Sequence, residues 1–155
     1  MILYGMDFSQ ITNDLFIGTT PLVEDYDILR NLGVSLVINL RFARAPYPDN
    51  SPVPLHFLWL RSIDSPLLLV SIQKLVQGTH TALETIRNGG KVYSHCAKGR
   101  HRSVAMGAAI LIAQGQTPEE AMDLIKKQRP ISDPGMFYVH RRILQFGRFW
   151  KRLNA

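Results

Sequence analysis

The chain has 155 residues, 46% of them apolar and 19% charged, a balance that excludes disorder and coiled coil and suits one domain spanning residues 1–155. Its one cysteine excludes an intrachain disulfide framework and a multi-cysteine zinc site, and suits a reducing, cytoplasmic compartment. The net charge of +6 sits at the C-terminal end, where residues 126–155 carry eight basic side chains against one acid, Asp133, so an anionic partner is expected there and nucleic acid is not expected for the domain as a whole.

In chain order, residues 1–7 lack the basic flank and long apolar run of a signal peptide. Residues 14–18 read as a short strand ending at Gly18. Residues 25–32 have helical spacing, with Ile28, Leu29 and Leu32 on one side and Gly33 as the stop. The apolar runs 34–40 and 55–60 read as buried strands. Between them, 41–54 holds Pro46, Pro48, Pro52 and Pro54, which forbid a helix and predict a surface loop.

A helix is predicted within 67–88, closed by Gly89-Gly90, and a strand at 91–94. Helices then fill the chain: 102–114, stopped by Gly115; one opened by Thr117-Pro118-Glu119-Glu120, with a cap residue, an early proline and an acid three residues on, ending before Pro130; and one over about 134–152. The longest apolar stretch, 104–113, is too short to span a membrane. Strands alternating with helices, then helices alone, predict an α/β domain with a small, mainly parallel central sheet flanked by helices and a helical C-terminal half.

The chemistry concentrates in Val92-Tyr93-Ser94-His95-Cys96-Ala97-Lys98-Gly99-Arg100-His101-Arg102-Ser103. A strand runs into Cys96, a short loop turns at Gly99, and Arg102 opens a helix. The N–H groups of Ala97, Lys98, Gly99, Arg100, His101 and Arg102 can turn inward there as a nest for an anion. The helix N-terminus adds about half a positive charge, and Arg102 can fork two N–H groups onto a tetrahedral oxyanion. These surroundings lower the thiol pKa of Cys96 and make it a nucleophile aimed at phosphorus. Ser103 is placed to donate to the sulfur and help it leave.

A departing alkoxide or phenoxide needs a proton. Asp64, in the loop 61–66 just past a strand, is the candidate, because loops at the ends of parallel strands converge over one sheet edge. Its bland role is a turn before Ser65-Pro66. Its rivals are Asp49 in the proline-rich loop and Asp133, whose default place is a Ser132-Asp133-Pro134 helix cap. His80, His95 and His101 with Cys96 lack metal-ligand spacing, and Arg102 repels a cation, so neither a metal nor another cofactor is expected. In the last helix, Val139, Ile143, Phe146 and Trp150 form a core stripe. Arg141, Gln145, Arg148 and Arg152 lie opposite, as a solvated basic face or a patch for acidic protein or anionic lipid.

His95-Cys96-Ala97-Lys98-Gly99-Arg100-His101-Arg102-Ser103 resembles the signature of the cysteine-based protein tyrosine phosphatases at every defined position, and the compact size resembles their dual-specificity branch. Looser likenesses are the strand Leu15-Phe16-Ile17-Gly18, the run from Gly33 to Asn39 and Leu40, Asp64 at 32 residues before the cysteine, and Arg129-Pro130 ahead of the last helix. The resemblance implies that Cys96 forms a phosphocysteine and that Asp64 protonates the leaving oxygen, then deprotonates the hydrolytic water. It implies that Arg102 and the loop amides hold the phosphoryl oxygens, while His95 orients the loop and tunes the thiol.

The implied activity is metal-independent hydrolysis of phosphotyrosine in phosphorylated protein, with phosphoserine and phosphothreonine admitted by a shallow cleft and substrates chosen through loops such as 41–54. The alternative is a phospholipid or inositol phosphate, for which Lys98, Arg100 and His101 supply extra charge. Residues 92–103, with Pro118-Glu119-Glu120-Ala121, also resemble a lipid-phosphatase branch, and the basic tail would hold such an enzyme near an anionic membrane. A non-hydrolysing phosphate binder is disfavoured by the full set of nucleophile, arginine, serine and candidate acid. Sulfur transfer of the rhodanese type is disfavoured by the His-Cys start and Arg-Ser finish.

Overall fold

Alternation along three strands sets the core. In this computed structural model, which describes residues 6–155, the elements are β1 (Phe8–Gln10), β2 (Leu15–Gly18), a 3-10 turn (Val23–Asp25) leading into α1 (Tyr26–Asn31), β3 (Val34–Asn39), β4 (His56–Trp59), α2 (Ile72–Arg87), β5 (Lys91–His95), α3 (Arg102–Ala113), α4 (Pro118–Gln128) and α5 (Phe137–Leu153). Most of the N-terminal stretch read above for a signal, residues 1–5, lies outside the described residues. The strands form one sheet in the order β1-β2-β5-β3-β4, with β1 antiparallel and the other four parallel.

Leu15 and Ile17, Leu36 and Ile38, and Val92 join a large cluster with α2 to α5, while Phe16, Val37 and Tyr93 join a smaller one with Tyr26 and Leu29 of α1. This is the two-residue period of a sheet buried on both faces. A register shift between Val34 and Leu36 breaks the alternation once and brings Val34 to the same cluster as Val37. Helix α3 is buried from Ser103 to Ile112. At Gly107 a Cβ would fall 2.5 Å from Ile17 Cδ1, so a larger residue there would force Ile17 to shift before the helix could lie this close to β2. Because four strands run parallel, the ends of β2, β5, β3 and β4 open on one edge, where the site is built.

The α/β architecture with a helical second half is the one predicted, with local differences. β1 was not predicted, since three residues carry no period. β4 is an edge strand that is half-buried to exposed rather than fully buried, because it has a neighbour on one side only. The helix expected within 67–88 starts at Ile72, where the Ser71 hydroxyl accepts from Lys74 N at 3.2 Å. The last helix starts at Phe137 instead of about 134, with Met136 as its N-cap. Asp133 therefore caps nothing: its N–H donates to Arg100 O at 3.0 Å and its carbonyl accepts from Met136 N at 3.2 Å. No helix among the described residues is long and apolar enough to cross a membrane.

The opening of α4 has the predicted reciprocal cap, with Glu120 N donating to Thr117 Oγ1 at 3.1 Å and Thr117 N to Glu120 Oε1 at 3.0 Å. Thr117→Ala is expected to cost about 1 kcal/mol in urea denaturation, with catalytic turnover unchanged.

Candidate active site

β5 runs buried through Ser94 and His95 to Cys96, which is 3% exposed. The chain then turns at Gly99, whose φ of 65° is left-handed. A Cβ there would meet Arg129 Nη2 and the carbonyl oxygen of Gly18, each at 2.8 Å. Cys96 Sγ lies 3.2 Å from Ser103 Oγ, and the N–H groups of Ser103 and Arg100 also point at the sulfur. Burial by itself pushes the thiol up. The Ser103 hydroxyl, those two amides and the charge of Arg102 outweigh it, and the net result is a thiol below its ordinary value. Burial also pushes the His95 imidazole down to about 3. A neutral ring, with Nδ1 3.5 Å from Cys96 O, lends the sulfur no positive charge.

Arg102 is anchored by Nη1, which donates to Ser62 O at 2.9 Å and approaches Leu40 O at 3.4 Å. Its Nε is buried without a hydrogen-bond partner, and the residue lines the cleft. Behind the loop stands Arg129, 1% exposed. Its Nε donates to Gly99 O at 2.8 Å and its Nη2 to Lys98 O at 3.1 Å. Both outer nitrogens also reach Asp7, at 3.3 and 3.2 Å, and Nη1 reaches Ser9 Oγ at 3.1 Å. Peptide groups are planar and trans, so pulling these two carbonyls backward turns the N–H groups of Gly99 and Arg100 the opposite way. Nothing in the local sequence around Arg129-Pro130 signals this role, because its partners lie 30 residues and more away.

Asp64 comes from the loop after β4. Its Oδ2 lies 2.9 Å from His101 Nδ1, and its Oδ1 accepts from Tyr138 OH at 2.7 Å. Partial burial pushes the carboxyl up. The hydrogen bonds from His101 and Tyr138, with the charges of His101 and Arg102, pull it below the usual carboxylate value. Asp64, Cys96, Ala97, Lys98, Arg100, His101 and Arg102 line one cleft of about 250 Å³.

Neither rival lines this cleft. Asp49 is tied to Arg30, to Leu55 N at 2.8 Å and to Ser51 N at 3.2 Å, stapling the proline-rich loop. Asp133 lines a neighbouring hollow with Met122 and Lys126 of α4. Tyr138 was predicted by nothing, because a tyrosine 74 residues from its partner leaves no local signal. Among the described residues no three His, Cys, Asp or Glu side chains gather as a metal ion requires.

No family model matches the chain. It is 27% identical over 138 residues to the protein-tyrosine-phosphatase MKP1 of Arabidopsis thaliana, covering 88% of this chain but only 17% of that relative. It is 28% identical over 138 residues to dual specificity protein phosphatase 1B of the same plant, covering 87% and 79%. A crystal structure of a mouse dual specificity phosphatase with zinc tungstate superposes at a TM-score of 0.83, with 21% identity over 95% of this chain and 90% of the other. That of PTPMT1 in complex with PI(5)P superposes at 0.81, with 23% identity over 96% and 99%. At these identities the two structures establish a common fold.

Two substitutions probe the loop. Ser103→Ala removes a hydrogen bond that lowers the Cys96 thiol, so the pH midpoint of alkylation by iodoacetamide is expected to move upward. Arg129→Met leaves two loop carbonyls unpaired, and inorganic phosphate is expected to bind about tenfold more weakly by calorimetry.

Proposed function

We propose, from this chain's similarity to tyrosine and dual-specificity phosphatases, that it belongs to the dual-specificity branch of the cysteine-based protein tyrosine phosphatases and removes phosphate from phosphotyrosine, and from phosphoserine or phosphothreonine where the cleft admits them, through a phosphocysteine. The observation that carries the reading is the grouping of Cys96, Arg102 and Asp64 around one cleft, with Ser103 Oγ 3.2 Å from the sulfur. MKP1 is much longer than this chain, and what such a whole protein acts on is part of the proposal.

The Cys96 thiolate attacks phosphorus as the bond to the leaving oxygen breaks. The amides of residues 97–102 and the free edge of Arg102 take the three phosphoryl oxygens, whose charge grows toward the transition state. Asp64 hands a proton to the departing oxygen. In the second half it accepts a proton from water, which displaces sulfur from phosphorus. The Ser103 hydroxyl stabilises the departing thiolate. His95 holds the end of β5 in place as a neutral ring. The chemistry needs no metal, because the arginine and the amides supply the positive field. A reducing compartment such as the cytoplasm keeps this sulfur from oxidation.

A second reading keeps the chemistry and changes the substrate to an inositol phosphate or phospholipid head group. It is favoured by the rim: Lys98 and Arg100 are exposed on the lip, and Leu67 and Leu68 beside the Asp64 loop are 88% and 62% exposed. Apolar side chains flanked by cations suit an anionic membrane surface, and the exposed Arg141, Arg148 and Arg152 of α5 suit the same surface or an acidic protein.

Cys96→Ser is expected to abolish hydrolysis while inorganic phosphate still binds. Asp64→Asn is expected to slow phenyl phosphate by about 100-fold and p-nitrophenyl phosphate far less; equal losses on both esters remove Asp64 as the acid. A panel of phosphopeptides, phosphoinositides and phosphatidylglycerophosphate separates the two substrates. Turnover of lipids with none on any peptide selects the second.

A further inference from the structure

A general acid must hold a proton before the leaving oxygen needs it, yet both oxygens of Asp64 are engaged by donors, Tyr138 OH at 2.7 Å and His101 Nδ1 at 2.9 Å. Two donors on one carboxylate stabilise its ionised form, which is why this carboxyl lies below the ordinary range. An acid so held is empty at neutral pH unless a partner refills it. Tyr138 does not. Burial, followed by its bond to Asp64, pushes its hydroxyl up to about 12, so it keeps its proton. His101 is the other partner.

His101 sits at the N-cap of α3, between the loop and Arg102. One ring nitrogen faces Asp64. The other, Nε2, is buried without a hydrogen-bond partner, and the carboxylate of Asp133 lies 3.7 Å away. The ring packs edge-on against Tyr138, with centroids 5.7 Å apart. The groups facing it are thus Asp64 from the loop after β4, Asp133 from the loop between α4 and α5, Tyr138 from the start of α5, and Arg102 beside it on α3. An imidazole carrying two N–H groups finds a carboxylate on each side.

We propose that His101 is a positioning residue that shares the leaving-group proton with Asp64 and refills it. The inference rests on Asp64 being the acid. The proton passes from His101 Nδ1 to Asp64 Oδ2, and from the carboxyl to the leaving oxygen as the P–O bond breaks. The leaving group departs as an alcohol or phenol, and the pair is left as neutral imidazole and carboxylate. In the second half, the water attacking phosphocysteine gives one proton to Asp64, the S–P bond breaks to restore the thiolate, and the proton returns to Nδ1. Charge and protons balance over the cycle, and His101 touches neither phosphorus nor the leaving oxygen.

With the ring as the store for the proton, replacing the ring removes the store while leaving the carboxyl in place. The test is the pH dependence of kcat on phenyl phosphate and p-nitrophenyl phosphate for wild type, His101→Gln, Asp133→Asn and Asp64→Asn. Glutamine still donates to Asp64 but cannot store a proton. His101→Gln is therefore expected to lower kcat on phenyl phosphate about tenfold near neutral pH and to move the descending limb down by about one pH unit, with p-nitrophenyl phosphate changed less than about threefold. Asp133→Asn, on the rim and low in folding risk, is expected to move the same limb in the same direction by less.

A His101→Gln enzyme with the wild-type limb, or an Asp133→Asn enzyme whose limb stays or rises, overturns the proposal. If Asp64→Asn loses activity selectively on phenyl phosphate while both other variants keep the wild-type limb, only the sharing fails. If Asp64→Asn shows no leaving-group dependence, the underlying assignment of the acid fails first.

Discussion

A sulfur buried to 3% exposure keeps a negative charge only if the protein replaces the water it has lost. Here the replacement is mostly backbone: the N–H groups of Arg100 and Ser103, with the Ser103 hydroxyl, address the sulfur directly, and Arg102 adds a full charge nearby. Amides are reliable only when their peptide planes cannot turn. That constraint falls on Arg129, which grips the carbonyls of Lys98 and Gly99 from behind. Burying a guanidinium is costly unless its donors are all used, and this one spends them on two carbonyls, a carboxylate and a hydroxyl. The brace, the left-handed Gly99 and the central position of β5 are three aspects of one requirement, a loop that does not relax when an anion enters or leaves.

What could be read from the residues follows the range of each interaction. Strand and helix identities came from apolar periods within single elements, and the cap of α4 from four consecutive residues. The loop from His95 to Ser103 was legible because its parts are contiguous, so spacing alone fixes their geometry. The contacts that complete the site span longer gaps: 30 residues from Arg129 to Gly99, 37 from His101 to Asp64 and 74 from Tyr138 to Asp64. No local pattern encodes such distances. Asp133 failed as a cap for the opposite reason: the local signature was sound, but Ser132 and Asp133 are held by bonds to Arg129 and Arg100, and the helix waits for Met136.

The two halves of the site are anchored differently. The phosphate loop rests on the sheet and on a buried helix, while the acid loop is exposed along much of its length and meets the rest of the site at Asp64 and at the buried Ser62. Its attachments include His101 and Tyr138 on the carboxylate, Arg102 on the carbonyl of Ser62 and Lys74 on the carbonyl of Arg61. Rigid binding of the anion beside a more loosely tethered acid fits a cycle in which one group holds phosphorus throughout and the other exchanges a leaving group for water.

The short strand β1 has a part in this that its three residues do not advertise. Asp7, just before the strand, and Ser9 within it are the outermost grips on Arg129, and among the described residues β1 pairs only with β2. A peripheral ribbon is thereby geared, through one guanidinium, to the floor of the reaction centre. Whatever docks against or peels away that margin of the sheet has a lever on sulfur reactivity without approaching the mouth of the cleft.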